Sequence, residues 1–85
     1  MNFQKQNITN YNLYDTAVDN MFIAEYMATA PGEYVKAYLL ALMYAGLSVP
    51  CTNETLARDL DMTVEEVLLA WNHWEKLGLI LKKYP

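Results

Sequence analysis

The chain has 85 residues, of which 54% are hydrophobic and 13% aromatic, and its formal net charge at pH 7 is −4. This length allows one domain with one modest core, and so large an aromatic share suggests that some apolar surface is buried between chains. The acidic balance argues against a free-standing DNA-binding domain, because such a domain usually carries a basic face.

Cysteine content and hydropathy restrict the class of protein further. The one cysteine, Cys51, cannot form an internal disulfide or build a metal site, which is typical of a reducing cytoplasm. No apolar run approaches the roughly 20 residues that span a bilayer, and the first residues lack the apolar core of a signal peptide. We therefore expect a cytoplasmic protein with no membrane association, no metal and no cofactor.

The chain begins with a polar stretch that is predicted to be an arm. Residues 1–12 are rich in Asn and Gln and have no hydrophobic period. Residues 13–18 are ambiguous, because they could form a strand or lead into a helix. We therefore predict an N-terminal arm over residues 1–17 and one folded domain over residues 18–85.

Two helices are predicted before the middle of the chain. Asp19 or Asn20 can cap a short first helix. Pro31 suits the first turn of the next helix, because that turn needs no N–H donor. This second helix is predicted over about residues 33–45 and is ended by Gly46. Its buried stripe is predicted to consist of Val35, Tyr38, Leu39, Leu42 and Met43.

The next stretch is predicted to be a helix-turn-helix. Thr52 can cap its first helix, and residues 61–63 form the turn. Ala57 is small at the point where the two helices must approach closely. The inner stripe of the first helix is predicted to consist of Leu56, Ala57 and Leu60.

The second helix of this motif carries the strongest local pattern. Thr63 followed by Glu66 is a capping box, in which each side chain accepts a hydrogen bond from the backbone N–H of the other residue. Gly78 is placed to end the helix in the left-handed conformation, and Leu79 should then fold back toward Trp74. The apolar face of the helix is predicted to consist of Val64, Val67, Leu68, Trp71 and Trp74.

A short strand is predicted after this helix. Residues 79–81 form an apolar run that favours β-structure, and Lys82 and Lys83 follow it. Two helices, a glycine stop and an apolar strand indicate a mainly α fold, a winged helix-turn-helix with a short β wing. Because a wing needs a second strand, either residues 13–18 pair with this one or the chain is a fragment of a longer protein. We favour the fragment.

Four stretches of the chain carry a family resemblance. They lie in order at residues 18–27, 30–39, 62–67 and 74–80. The sequences Phe-Ile-x-Glu-Tyr-Met and Gly-Glu-Tyr-Val-Lys-x-Tyr-Leu, from the first two stretches, are the most specific parts, whereas many winged-helix regulators share the other two. Together the stretches resemble the N-terminal domain of DnaD-type replication-initiation proteins.

The resemblance implies a winged-helix domain of primosome proteins from bacteria and their phages. In that family this domain mainly self-associates and meets protein partners, while a separate C-terminal helical domain carries much of the DNA binding. We therefore expect a homo-oligomer that docks other primosome proteins in DNA replication initiation. Its DNA binding is expected to be weak, or to be supplied by a C-terminal domain outside these 85 residues.

The residues offer no catalytic constellation, so we expect the chain not to be an enzyme. His73 is the only histidine, and no Ser or Cys is placed to act as its nucleophile. Cys51 has no positive charge near it in the sequence that would activate the thiol, and we interpret it as a small packing residue. The paired carboxylates Glu65 and Glu66 are explained by helix capping.

DNA binding by the winged helix itself, as in a transcriptional regulator or a replication protein, is the alternative function. The second helix of such a motif enters the major groove, but here Glu65 and Glu66 would repel the phosphates that supply most of the affinity. The candidate contacts to the DNA backbone are Arg58, His73, Lys76, Lys82 and Lys83. The last two are equally well explained as the solvated end of an amphipathic segment.

Self-association is predicted to use aromatic and apolar side chains outside the helix-turn-helix core. Tyr and Phe supply large, fairly rigid contact area and are enriched at interfaces. Leu69 points away from the apolar stripe of its helix and is predicted to be an exposed contact. The candidates are Tyr11, Leu13, Tyr14, Phe22, Tyr26 and Leu69. The alternative is that the aromatic rings cover the helical core of their own chain.

Overall fold

The computed structural model describes residues 15–80, which form three α-helices after a short π-helical segment. The π-helical segment covers Phe22–Tyr26, and the α-helices are α1 (Gly32–Gly46), α2 (Asn53–Leu60) and α3 (Val64–Lys76). Each α-helix contacts the other two. No strand occurs between residues 15 and 80, so the prediction of a mainly α fold is confirmed.

The first of two apolar clusters is aromatic and joins three elements. Phe22 of the π-helical segment stacks on Tyr38 of α1, with 4.3 Å between the ring centroids. Trp74 of α3 lies tilted against both rings, at 5.2 and 5.4 Å. Its indole Nε1 donates a hydrogen bond of 2.9 Å to the Tyr34 carbonyl oxygen, so the polar atom of this buried ring is satisfied. This aromatic cluster fixes the π-helical segment and α3 to α1.

The second apolar cluster joins the two helices of the predicted helix-turn-helix. Leu56 and Ala57 of α2 are buried against Val67 of α3, as the small size of Ala57 predicts. Trp71 packs against both clusters. Its Nε1 donates a hydrogen bond of 2.8 Å to Asn53 Oδ1, which ties α3 to the first turn of α2. The predicted pair of helices joined by a tight turn is therefore confirmed.

The capping box at the start of α3 is complete. Thr63 Oγ1 accepts a hydrogen bond from the Glu66 N–H at 3.1 Å, and Glu66 Oε1 accepts one from the Thr63 N–H at 2.9 Å. These bonds occupy two donors that a helix start otherwise leaves without partners. The bond from the Thr63 backbone favours the ionised carboxylate and lowers the pKa of Glu66.

Two further helix starts are capped by side chains. Thr52 Oγ1 accepts a hydrogen bond from the Thr55 N–H at 3.1 Å, as predicted. Before the π-helical segment, Asp19 Oδ1 accepts one from the Phe22 N–H at 2.8 Å. Of the two predicted caps for the first segment, Asp19 and Asn20, the structure therefore uses Asp19.

All three α-helices end in the same hydrogen-bonded turn, the Schellman motif. In each motif one residue follows the helix in the left-handed conformation: Ser48 (φ 57°), Asp61 (φ 55°) and Gly78 (φ 77°). The Gly78 prediction is confirmed. The prediction that α1 ends at Gly46 is confirmed, since Gly46 is its last helical residue, but the left-handed residue that reverses the chain is Ser48.

The hydrogen bonds after α3 show how this motif returns the chain to the core. The Leu79 N–H donates to the Trp74 carbonyl and the Gly78 N–H to the Glu75 carbonyl, both at 3.0 Å. The side chains of Leu79 and Ile80 then pack against the aromatic cluster. The predicted return of Leu79 toward Trp74 is therefore confirmed.

The predicted wing strand is not seen in the part of it that the structure describes. Leu79 and Ile80 have no regular secondary structure. Both are used to cover the core of their own chain, and no strand within residues 15–80 offers them a ladder partner. Leu81, Lys82 and Lys83 lie outside the described residues.

Candidate protein-interaction surface

The helix α3 turns one face to the core and the opposite face to the surface. Val67, Ala70 and Trp74 are fully buried, which fixes the inward direction of the helix. At about 3.6 residues per turn, the residues of the opposite face recur every three or four positions. They form a stripe of four exposed residues, here called the outer stripe: Glu65, Leu69, Asn72 and Lys76.

Two adjacent leucines give this surface an apolar centre. Leu69 is 53% exposed and Leu68 is 43% exposed. The exposure of Leu69 agrees with the prediction that it points outward. Leu68 was predicted to lie on the buried face, and this is wrong, because a step of about 100° from the buried Val67 turns it to the edge of the outer stripe.

Charges are separated along the outer stripe. Glu65 is exposed at the N-terminal end of α3, with Glu66 beside it, and Lys76 is exposed at the C-terminal end. Both signs are favourable for the helix dipole. The surface of α3 therefore runs from negative through apolar to positive.

The candidate DNA-contacting cations lie on different elements. Arg58 of α2 is 77% exposed, and its Nε lies 3.6 Å from the Asp59 carboxylate. Lys76 is exposed at the end of α3. Lys82 and Lys83 lie outside the described residues, so the structure does not place them relative to the other two.

His73, the remaining candidate DNA contact, is used within the fold. Its ring packs against the rings of Tyr34 and Trp74, with centroids at 5.3 and 4.6 Å. Its Nε2 atom is buried and has no hydrogen-bond partner among residues 15–80. This atom is therefore not accessible to a phosphate, while the half-buried residue as a whole packs against its own chain.

The candidate self-association residues separate into three groups. Leu69 is exposed, whereas Phe22 is fully buried in the aromatic cluster and cannot reach another chain. Tyr26 is half-buried against the same cluster, which fits the alternative that it covers its own core. Tyr11, Leu13 and Tyr14 lie outside the described residues.

The sequence reasoning missed an exposed apolar surface on the π-helical segment and its ends. Met21, Ile23 and Met27 are exposed, while Phe22 and Tyr26 of the same segment face the core. The available signal was that apolar residues stand on all sides of this short segment, more than one buried face can hold.

An open apolar groove of about 480 Å³ lies between the residues that precede the π-helical segment, α1 and the end of α2. Its described lining contains no histidine, cysteine or carboxylate, and its one charged group is the ammonium of Lys36. The groove therefore offers apolar contact without an acid–base pair. It is lined by Thr16, Val18, Lys36, Leu39, Leu40, Met43 and Leu60.

Two further titratable groups have structural roles near α2. The Tyr44 hydroxyl of α1 donates a hydrogen bond of 2.8 Å to Asp59 Oδ2, which joins the two helices and raises the pKa of Tyr44. Cys51 packs against the second apolar cluster, and burial raises the pKa of its thiol. A protonated thiol is a poor nucleophile, which supports the interpretation of Cys51 as a packing residue.

Neither a metal centre nor a membrane span is found in the described part of the chain. Within residues 15–80, no three side chains of His, Cys, Asp and Glu converge as metal ligands. Among the helices in that range, none has both the length and the apolar character needed to cross a bilayer.

The chain matches no protein-family model, and no curated protein or solved structure is significantly similar to it.

Proposed function

We propose that this chain is a protein-interaction domain that self-associates and docks protein partners. The observation that carries the proposal is the pair of adjacent exposed leucines, Leu68 and Leu69, on α3. In a DNA-binding helix-turn-helix the corresponding helix enters the major groove and offers it polar and basic side chains. Leucines at this position favour contact with another apolar surface.

The size of the apolar spot sets the expected strength of association. Removing apolar area from water stabilises a complex by roughly 25 cal/mol per Å². Two half-exposed leucines supply an anchor but not the area of a standard interface, which buries about 1,600 Å² in total. We therefore expect weak self-association, with a dissociation constant in roughly the micromolar range or above.

The charges near α3 also favour protein interaction over DNA binding. Affinity for DNA comes mainly from Lys and Arg contacts to phosphates. At the start of α3, Glu65 and Glu66 place two exposed carboxylates where phosphates would approach. The exposed cations of α2 and α3 are limited to Arg58 and Lys76, which is few for binding through phosphate contacts.

The family resemblance extends this proposal to a cellular role. The domain would be the N-terminal winged-helix domain of a DnaD-type replication-initiation protein, and its partners would be other primosome proteins in the cytoplasm. The wing belongs to the same proposal, and its residues after Ile80 lie outside the described part of the chain. Support comes from the capped helix pair α2–α3 with its glycine stop, an arrangement that winged-helix domains share. The domain would act by binding and not by catalysis.

The test compares the wild type with a variant that removes the apolar anchor. Leu69→Lys should abolish self-association in sedimentation velocity between about 1 and 500 µM, because it places a charge in the apolar contact. The new Lys lies four residues after Glu65, a spacing that favours the helix. The matched control is Val49→Lys, because Val49 is exposed to a similar extent (44%) in the connector between α1 and α2.

Titration of labelled single- and double-stranded DNA completes the test. We expect no change in anisotropy at about 50 mM salt, where phosphate-driven binding is strongest. A wild-type chain that stays monomeric and binds DNA at about 50 mM but not at about 200 mM salt would overturn the proposal in favour of a DNA-binding domain.

A further inference from the structure

We propose that α3 pairs antiparallel with α3 of a second copy of this chain, so that Glu65 of each copy faces Lys76 of the other. The inference rests on the proposed self-association and names the surface and the symmetry that it uses. It is carried by the outer stripe of α3 and by the order of the charges along it.

The spacing of the outer stripe fits a helix–helix seam. Its members Glu65, Leu69, Asn72 and Lys76 are separated by four, three and four residues, and all four are exposed. Alternating steps of three and four keep side chains on one side of a helix, which lets all four face a second helix, with Leu69 as the apolar member. At about 1.5 Å per residue the stripe extends over about 16 Å, which is nearly the whole of α3.

The charges select the antiparallel arrangement. A two-fold axis between Ala70 and Trp71 brings Glu65 opposite Lys76 of the second copy and Leu69 opposite Asn72. Each charge pair then occurs twice, because a two-fold interface repeats every contact. A parallel arrangement would instead place Glu65 beside Glu65 and Lys76 beside Lys76, and like charges in contact are unfavourable.

The side chains at the border of the stripe are compatible with this pairing. Leu68 is 43% exposed at the edge of the stripe and adds apolar area next to Leu69. Glu66 is held by the capping box, with its Oε1 2.9 Å from the Thr63 nitrogen, so its carboxylate is directed toward its own helix start. The ends of the stripe therefore present Glu65 and Lys76 as the charges that meet the second copy.

Charge reversal tests the pairing with two variants. Each should weaken self-association alone, and the two together should restore it. Glu65→Lys gives the stripe a positive charge at both ends, and Lys76→Glu gives it a negative charge at both ends. Each variant alone should self-associate about tenfold or more weakly than the wild type, because both attractive pairs become repulsive. An equimolar mixture should form a heterodimer, since every Lys then faces a Glu.

Two controls separate the pairing from general effects of charge and folding. Glu54→Lys matches Glu65→Lys, because Glu54 is also the second residue of a helix with a threonine cap. Lys36→Glu matches Lys76→Glu with an exposed lysine of α1. Circular dichroism melts identify any variant that does not fold. The double variant Glu65→Lys with Lys76→Glu provides a second test in one chain, and it should associate about as tightly as the wild type.

Sedimentation velocity distinguishes the outcomes. Recovery of the dimer in the mixture and in the double variant, with little effect of the two controls, supports the antiparallel pairing. A wild type that dimerises while Glu65→Lys and Lys76→Glu behave like their controls overturns this inference and leaves the proposed self-association standing. A wild type that is monomeric at every concentration overturns both.

Discussion

The inward and outward faces of α3 are built from the same 13 residues but carry different chemistry. On the inward face, Val67, Ala70 and Trp74 are fully buried, and the indole of Trp74 donates a hydrogen bond to α1. On the outward face, Leu69 stands exposed between a carboxylate at one end of the helix and an ammonium at the other. The inward side chains have defined contacts within their own chain. The outward charges are defined by their positions along the helix.

Under the proposed self-association, this difference implies that stability and association can be changed separately. Core substitutions leave cavities and cost several kcal/mol, whereas exposed substitutions usually change the free energy of unfolding by less than about 0.5 kcal/mol. A substitution on one face of α3 should therefore act on folding and a substitution on the other on association.

Trp74→Ala should have the largest effect on stability. The substitution removes the ring that contacts both Phe22 and Tyr38, together with the hydrogen bond to Tyr34. Losses of large aromatic side chains from cores cost about 3–5 kcal/mol, a large part of the stability of a small domain. Urea unfolding followed by circular dichroism measures the change.

The matched control for Trp74→Ala lies on the other face of the same helix. Leu69→Ala should change the free energy of unfolding by less than about 0.5 kcal/mol, because Leu69 is 53% exposed. If both variants lost similar amounts of stability at a concentration where the chain is monomeric, the two faces of α3 would not be separable.

Gly78→Ala should have the second largest effect. Gly78 has a φ of 77°, and a Cβ atom there would meet no atom of the described residues beyond its chain neighbours within 4 Å, so the cost is conformational and not steric. The left-handed conformation costs a residue with a Cβ about 1–2 kcal/mol. Because the turn at Gly78 returns Leu79 to the aromatic cluster, thermal unfolding of this variant measures how much the inward face depends on that turn.

Gly46→Ala is the control, with the opposite sign expected. Gly46 is the last residue of α1, and a Cβ atom there also meets nothing within 4 Å. Alanine is preferred over glycine in a helix by about 0.5–1 kcal/mol. A loss of stability from Gly46→Ala equal to that from Gly78→Ala would show that the backbone conformation does not explain either effect.

The inward face of α3 was largely predictable from the sequence, because burial follows the helical period. Val67 and Trp74 recur at that period and are fully buried, and the capping box of Thr63 and Glu66 was read from residue types three positions apart. Leu68 was misplaced because a hydrophobic pattern gives the direction of the buried face but not its width.

Features that depend on the rest of the fold could not be read locally. Ser48 and Asp61 adopt the left-handed conformation in which glycine is the commonest residue, and hydrogen bonds of the Schellman motif hold them there. The apolar run at Leu79 and Ile80 has β propensity, but these residues are needed to cover the aromatic cluster. From the sequence, only Leu69 of the outer stripe was predicted to be an exposed contact. The other members follow from the inward direction of α3, which the structure provides.

Thr63→Ala should lower stability less than Gly78→Ala. Thr63 caps the start of α3, between its inward and outward faces. The substitution removes the hydroxyl that accepts the hydrogen bond from the Glu66 N–H. Loss of a threonine cap costs about 1 kcal/mol. Thr63→Ser keeps the hydroxyl and should retain most of the wild-type free energy of unfolding, measured by urea titration. Equal losses from alanine and serine would mean that packing of the Thr63 methyl group, and not the cap, is responsible.

Glu66→Gln should have the smallest effect, and the effect should depend on pH. The hydrogen bond from the Thr63 backbone lowers the pKa of Glu66 in the folded chain below its ordinary value of 4.5. Ionised Glu66 therefore contributes stability at pH values above 4.5, and this contribution is lost as the pH falls through the lowered pKa of the folded state. The difference in melting temperature between the wild type and Glu66→Gln should be constant near neutral pH and should disappear in acid.

Glu65→Gln is the control, because Glu65 lies on the same first turn but is not the capping carboxylate. If Glu65→Gln showed the same loss in acid, the stabilisation would come from the helix dipole acting on both carboxylates and not from the capping box.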